Sequence, residues 1–381
     1  MEKTTEKLPT IIIVGAGIGG LTFYHSVRKH LGQKFKVKIF ERESSPQGYN
    51  IYVNRKGVTS LFYCTPPEVQ IRFPEAMPDP VPKEQHSISM IDHVGRQLIC
   101  LPQRNPKTVY EIESIKHDYA GLVSYRNRLR DILLEGVDIQ WGKKCVGYEE
   151  SDDGVPELKI LDLEVTSIDV DIAVPKDYAE RLMSFYANCL VQKSLGQYGD
   201  SFFSMLRLIP IDKSDEPKYR VTFGYSYPTN LDIKENIKID DNDPKSVINH
   251  AMLRIKQLRS PCELTDLMIK ILSLVPLSQP DDNYPFKTYN PPRRRQLRDI
   301  NPLSVPPWKD DRIVLLGDAA HAMNPLLGLD ADLLTKELLN YENDNLVSCI
   351  KRYNEQMRAR SSKDVMASRS IVIKQRDPVG T

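Results

Sequence analysis

The sequence predicts an α/β protein: a mostly parallel sheet flanked by helices, an interleaved unit built on a mixed β-sheet, and a helix at the C-terminal end. Three observations predict it. A short β-branched run, Thr10 to Val14, ends in the glycine cluster GAGIGG at residues 15–20 and is followed by a helical pattern and a second strand-like run. A long middle stretch carries short alternating and aromatic runs. Helical spacing returns near residue 346. These shifts put a discontinuous first domain at 8–75, 119–160 and 300–345, a second at 76–118 and 161–299, and a helical segment at 346–381.

Bulk properties bound the partners. A chain of 381 residues exceeds what one core organises, so two or three domains are expected. Its 40% hydrophobic and 27% charged residues are those of a globular protein. With 52 basic against 51 acidic side chains, net charge is +1, and no global field gathers nucleic acid or an anionic membrane. The six cysteines, Cys64, Cys100, Cys145, Cys189, Cys262 and Cys349, show no paired or CxxC spacing. That argues against a disulfide framework or a metal site and fits a reducing, cytoplasmic setting. Ahead of the apolar run IIIV, MEKTTEKLPT is polar, and no stretch has the length of a membrane span.

Each element of the first unit has a physical reading. Thr10–Val14 is a continuous apolar run, the pattern of a parallel strand buried on both faces. Gly15, Gly17 and Gly20 then form GxGxxG. The first permits the turn, the second lets backbone approach a pyrophosphate, and the third allows close helix-to-strand packing. Leu21, Tyr24, Val27 and Leu31 follow at helical spacing, with Gly32 as C-cap. Lys36 to Glu41, KVKIFE, is the second strand. Glu41, with Arg42 beside it, closes that strand about twenty residues beyond Gly20, where a carboxylate accepts the hydroxyls of an adenosine ribose. This is a Rossmann-like dinucleotide-binding unit, and by itself it does not separate FAD from NAD.

Three further segments bear on that choice. VSYRNRLRDILLEG, residues 123–136, has an apolar helical stripe and carries Arg126 near its start. RIVLLGDAAHAMNP, residues 312–325, reads as a buried strand, Ile313 to Leu316, running through Gly317 and Asp318 into a helix start of small residues. YNEQMRARSSKDVMASR, residues 353–369, is helical and amphipathic. With GAGIGG, these segments resemble the class A flavoprotein monooxygenases, the aromatic-hydroxylase family that includes para-hydroxybenzoate and salicylate hydroxylases.

The resemblance implies an FAD-binding domain of Rossmann type and assigns roles residue by residue. Arg126 would reach the FAD phosphates or ribose; read on position alone, it is a solvated helix arginine. Asp318 would meet a flavin-side hydroxyl, and it reads equally as a helix N-cap. Pro325 would form the turn beneath the flavin ring, with Gly328 in the glycine turn that follows. The C-terminal helix reads as packing, and His321 as a structural or loop histidine. NAD(P)H would reduce FAD, and dioxygen would deliver one oxygen atom to an electron-rich, phenolic carbon.

Two places depart from the family pattern. Its Gly-Ala-Asp-Gly segment after the arginine helix is missing, since Asp153-Gly154 sits in YEESDDGVPELKI and reads as a turn. After Gly328 the chain reads Leu329-Asp330-Ala331-Asp332, where the family continues Gly-x-Asn. A carboxylate there adds bulk and negative charge beside the flavin. Both read as small internal deletions, and they keep open a catalytically impaired homologue that only binds flavin, or has no enzymatic role. A flavin dehydrogenase or oxidase is a third reading, since fold does not fix chemistry.

In the middle, HSISMIDHVGRQLI, SFFSMLRLIPI and YRVTFGYSY read as strands, and Ser246 to Leu274 as two helices broken at Pro261. A small aromatic or polyketide-like substrate would lie between this sheet and the flavin. Phe202, Phe203, Tyr225 and Tyr227 are candidate pocket aromatics, though strand aromatics are more often core. RRRQLR, residues 293–298, reads as a solvated basic loop. No residue stands out as a catalytic base.

Overall fold

A computed structural model describes residues 8–32, 34–42, 50–76, 85–100, 121–145, 161–209, 218–275, 288–299, 301–304, 313–321, 331–340 and 345–374. In chain order, β1 (Thr10–Val14), α1 (Ile18–Ser26) and β2 (Lys36–Phe40) form the predicted βαβ unit. β1 and β2 pair in parallel, and the short β7 (Ile139–Gln140) adds in parallel on the far side of β2. β3 (Asn50–Asn54) and β6 (Gly121–Tyr125) form a separate antiparallel pair. Between and after them come α2 (Arg55–Cys64), α3 (Pro67–Gln70) and α4 (Arg126–Leu134).

The first hydrophobic core gathers Ile13, Leu21, Phe23, Val27, Ile39, Phe62, Phe73, Leu129 and Leu133. α9 (Asp318–His321), α10 (Ala331–Leu339) and α11 (Leu346–Lys374) close over it through Ala320, Leu334, Leu338, Cys349, Tyr353 and Met357. The C-terminal helix thus packs, as expected. It is fastened to α10 by Arg352 Nε on Glu337 at 2.7 Å. The α1 helix ends in a π-turn over Val27–Leu31, with Gly32 at φ +57° as its stop. At the C-terminal end of α2, Lys29 Nζ donates to the carbonyls of Tyr63 and Thr65, each at 2.8 Å.

Two expectations about strands are corrected. β1 is not buried on both faces: Ile12 and Val14 are 61% and 59% exposed, while Ile13 is buried. Among the described residues β1 has a strand on one side only, and α1 packs on the Ile13 face. Residues 313–316 are not a strand and are only partly buried. Their polar backbone is instead held by α11, where the Tyr353 hydroxyl donates to the Leu315 carbonyl at 2.7 Å.

The second sheet is mixed, as predicted, with seven strands in the order β12-β8-β11-β10-β9-β4-β5. These are β4 (Gln85–Ile91), β5 (Gln97–Cys100), β8 (Leu161–Val174), β9 (Cys189–Leu195), β10 (Ser201–Ile209), β11 (Lys218–Pro228) and β12 (Thr288–Asp299). Among the described residues of this sheet, only β4 and β9 pair in parallel. One face is covered by α5 (Lys176–Phe185), α7 (Pro244–Leu258) and α8 (Glu263–Ser273), after the short α6 (Asn230–Glu235). α7 and α8 are the two helices expected around Pro261. α7 starts where Asp243 accepts from the Lys245 and Ser246 amides.

Alternation along the strands decides which side chains reach that core. Phe202, Tyr225 and Tyr227 point into it and are fully buried. Phe203 lies on the opposite face. RRRQLR is not a loop but part of β12, because its arginines find carboxylates contributed by distant elements: Arg294 pairs with Asp241 and Asp232, Arg295 with Asp169. No helix among the described residues is long and apolar enough to cross a membrane.

Candidate functional site

The glycine turn folds as its sequence demands. Gly15 has φ +103°, a region that disfavours a side chain, and its amide donates to the Phe40 carbonyl at 2.8 Å, tying the turn to the end of β2. A Cβ on Gly20 would stand 2.2 Å from the Gly15 carbonyl oxygen and 3.1 Å from Ile13 Cγ2. Both are fixed parts of the strand and turn, so only glycine lets α1 approach β1 this closely. Gly17 is the N-cap of α1 in extended conformation, and no acidic side chain occupies the first helical turn. The first amides of α1 therefore present an anion-seeking end with no competing carboxylate on the helix itself.

Glu41 and Arg126 both come to this turn. The Ala16 amide donates to Glu41 Oε2 at 2.8 Å. Glu41's own backbone is fixed by its amide on the Gln140 carbonyl and its carbonyl under the Lys143 amide. Arg126 is the first residue of α4, and a Cβ on Gly17 would lie 4.0 Å from its Nη2. A carboxylate and a guanidinium thus bracket a helix N-terminus, giving the acceptor that ribose hydroxyls require and the donors that a pyrophosphate requires. The glycines leave backbone bare where the phosphates would lie, so the residues fit FAD at its adenosine end. Arg42, next to Glu41, is exposed.

Arg130 escaped the sequence reading. It is 5% exposed, and its Nε donates to the Ala16 carbonyl at 2.8 Å, so α4 braces the glycine turn one helical turn beyond Arg126. The i, i+4 spacing of the two arginines was the available signal. His25 ties α1 to α4 from below, its Nε2 lying 2.8 Å from the Leu133 carbonyl, which can only accept. Burial pushes the His25 imidazole below its ordinary range, against the opposing pull of that hydrogen bond.

At the other end, Gly317 has φ +58° and Asp318 opens α9, so the predicted glycine-aspartate turn into a helix is present. Pro325 and Gly328 lie outside the described residues, as do Asp153-Gly154 and Leu329-Asp330. His321 ends α9. Among the described residues no group of three His, Cys, Asp or Glu side chains is arranged to hold a metal ion.

Comparison with known proteins agrees with this geometry. Residues 13–59 match the model of an NAD(P)-binding Rossmann-like domain. The FAD-dependent monooxygenase thnD of Trichoderma harzianum is 23% identical over 95% of this chain and 92% of its own length. A protein of Photorhabdus luminescens assigned as an FAD-containing monooxygenase superposes with a TM-score of 0.69 at 22% identity, covering 97% of this chain and 98% of that one. Klebsiella pneumoniae HpxO, solved with FAD and uric acid, superposes with a TM-score of 0.62 at 15% identity over 97% and 90% of the two chains. The glycine turn matches a Rossmann-like dinucleotide-binding model, and over nearly its full length the chain is similar in sequence and fold to FAD-dependent monooxygenases.

Proposed function

We propose that this protein is an FAD-dependent monooxygenase that draws electrons from NAD(P)H and inserts one atom of dioxygen into a small aromatic, phenolic or polyketide-like compound, in the cytoplasm. The observation that carries it is the convergence of Glu41, Arg126 and the N-terminus of α1 on one glycine turn. Gly15, Gly17 and Gly20 give the pyrophosphate access to backbone amides, Arg126 balances its charge, and Glu41 accepts the ribose hydroxyls. Arg42 flanks that end in solvent. Asp318, Pro325 and Gly328 serve the flavin end. FAD supplies the redox chemistry when bound, so the chain's task is to hold, orient and exclude water.

The two hydrophobic cores support the division into a cofactor domain, 8–75, 119–160 and 300–345, and a substrate domain, 76–118 and 161–299, closed by 346–381. The substrate side of the second sheet is the face away from α5, α7 and α8. Incubation with a phenolic panel under labelled dioxygen tests the reading. Label in the product, with NAD(P)H consumed in step, is expected. Flavin turnover with no label in any product makes the protein a dehydrogenase or oxidase instead, and absence of both FAD binding and NAD(P)H oxidation removes the enzymatic reading.

A further inference from the structure

One register row crosses the second sheet on its open face: Ile99, Met90, Lys193, Phe203, Gly224, Asp169 and Arg293, each opposite the next. Burial along the strands marks the two faces. On β11, residues 221, 223, 225 and 227 are buried under the helices, and 222, 224 and 226 between them are only partly buried. Lys193 is partly buried on the open side, flanked by Met90 and Phe203 and near the small apolar cluster of Ile88, Val191 and Met205. A lysine in such a place ordinarily finds a carboxylate. Among the described residues Lys193 has no ion pair, and the nearest acid of its row, Asp169, is committed to Arg295 and Ser167.

Two strands from Lys193, Gly224 contributes no side chain, and the place its Cβ would take is closed by Asp169 Oδ1 at 3.0 Å and by the Phe203 backbone and Cβ at 3.8 and 3.9 Å. With strands about 4.8 Å apart, Phe203 stands directly beside Lys193 and is the flat apolar seat next to it, with Asp169 bounding the far side. The rows beside it supply hydroxyls from Thr222, Ser226 and Ser167. The floor is therefore apolar towards β4 and polar towards β8, with one uncompensated cation in its apolar half.

We propose that Lys193 is a substrate-binding residue that anchors an oxyanion, a phenolate or a carboxylate, on an aromatic ring seated against Phe203. The proposal rests on the reading of this face as the substrate side and narrows the substrate to anionic aromatics. Burial without a partner also lowers the Lys193 ammonium to about 8. An anion placed beside it restores the charged form, so anchoring is present below that pH and lost above it.

Equilibrium dialysis on the FAD-loaded protein tests this with two matched pairs whose charge is constant between pH 7 and 9, benzoate against benzamide and 2,4-dinitrophenolate against 2,4-dinitroanisole. The first pair reads a carboxylate anchor and the second a phenolate anchor. At pH 7 at least one anion should bind about tenfold or more tighter than its neutral partner. The preference should vanish in Lys193→Met, return in Lys193→Arg, and fade between pH 7 and 9 in the native protein but not in Lys193→Arg, whose guanidinium stays charged. Equal binding within both pairs, no binding of either anion, or a preference that survives in Lys193→Met overturns the proposal. FAD content measured on the same samples separates this from failure of the flavoprotein reading, because Lys193 is far in sequence and sheet from the glycine turn.

Discussion

At Gly20 a single hydrogen atom decides how closely α1 packs on β1. That hydrogen occupies space that a methyl group would share with the Gly15 carbonyl at 2.2 Å, and neither the turn nor β1 has a flexible end that can yield. Gly20→Ala is therefore expected to push α1 off the sheet, lowering stability by about 2 kcal/mol or more in urea unfolding and giving a protein that purifies without flavin. Arg126→Met should weaken FAD about tenfold or more in equilibrium titration with little change in unfolding midpoint, since Arg126 is a partly buried residue at a helix start. The glycines were legible in the sequence because their requirement is set by backbone geometry within six residues. Lys193 was not: alternation marks it only as one face of a strand, and the side chains that strip its water, Met90 and Phe203, come from strands that sequence spacing does not bring together.

Elements are joined by buried polar contacts that carry pH dependence. His25 links α1 to α4, and its pKa is lowered in the folded protein. The unfolded chain then binds more protons near and below pH 6.5, so this contribution to stability is complete above that pH and lost as pH falls through it. The melting temperature is expected to drop between pH 7.5 and 5.5, and the drop should shrink in His25→Gln. In the second unit, Asp232 joins α6 to β11, α7 and β12 through Tyr227, His250, Arg254 and Arg294. Burial alone would raise its carboxyl, but hydrogen bonds from His250, Arg254 and Tyr227 outweigh that and hold it at about 2. Its stabilisation is thus present above its ordinary range near 3.8 and lost only as pH falls towards 2. Asp232→Asn removes the carboxylate that His250, Arg254 and Arg294 share, while Arg254 keeps Glu235 and Arg294 keeps Asp241, and should destabilise the fold by about 2 kcal/mol in denaturant unfolding. None of these links was readable beforehand, because each joins residues from separate elements. Most strands and helices were readable, since they rest on local period; 313–316 and RRRQLR failed, the first because an apolar run does not itself supply a pairing strand, the second because three consecutive arginines look solvated until their carboxylates are found.

At the scale of the molecule, two cores with separate memberships support two units. Damage confined to one should leave the other's ligand in place: Asp232→Asn is expected to keep native FAD content while losing stability. In β1 burial is set at the scale of the molecule and not by the strand's own sequence. A continuous apolar run predicted burial on both faces, yet Ile12 and Val14 are exposed, since burial depends on how many neighbours a strand acquires. The resemblance puts the missing glycine-aspartate segment and the altered turn after Gly328 at the flavin end, outside the described residues, whereas Glu41 and Arg126 meet at the glycine turn that is the proposed adenosine end. Function therefore turns on whether a flavin held at that end is reduced and reoxidised. The visible spectrum of the purified protein, recorded before and after NAD(P)H without oxygen and again after air, measures this directly. The account predicts a flavin spectrum at about one per chain that bleaches with NAD(P)H and returns in air. A colourless protein that takes up no FAD, or a bound flavin that NAD(P)H never bleaches with any aromatic ligand present, would contradict it.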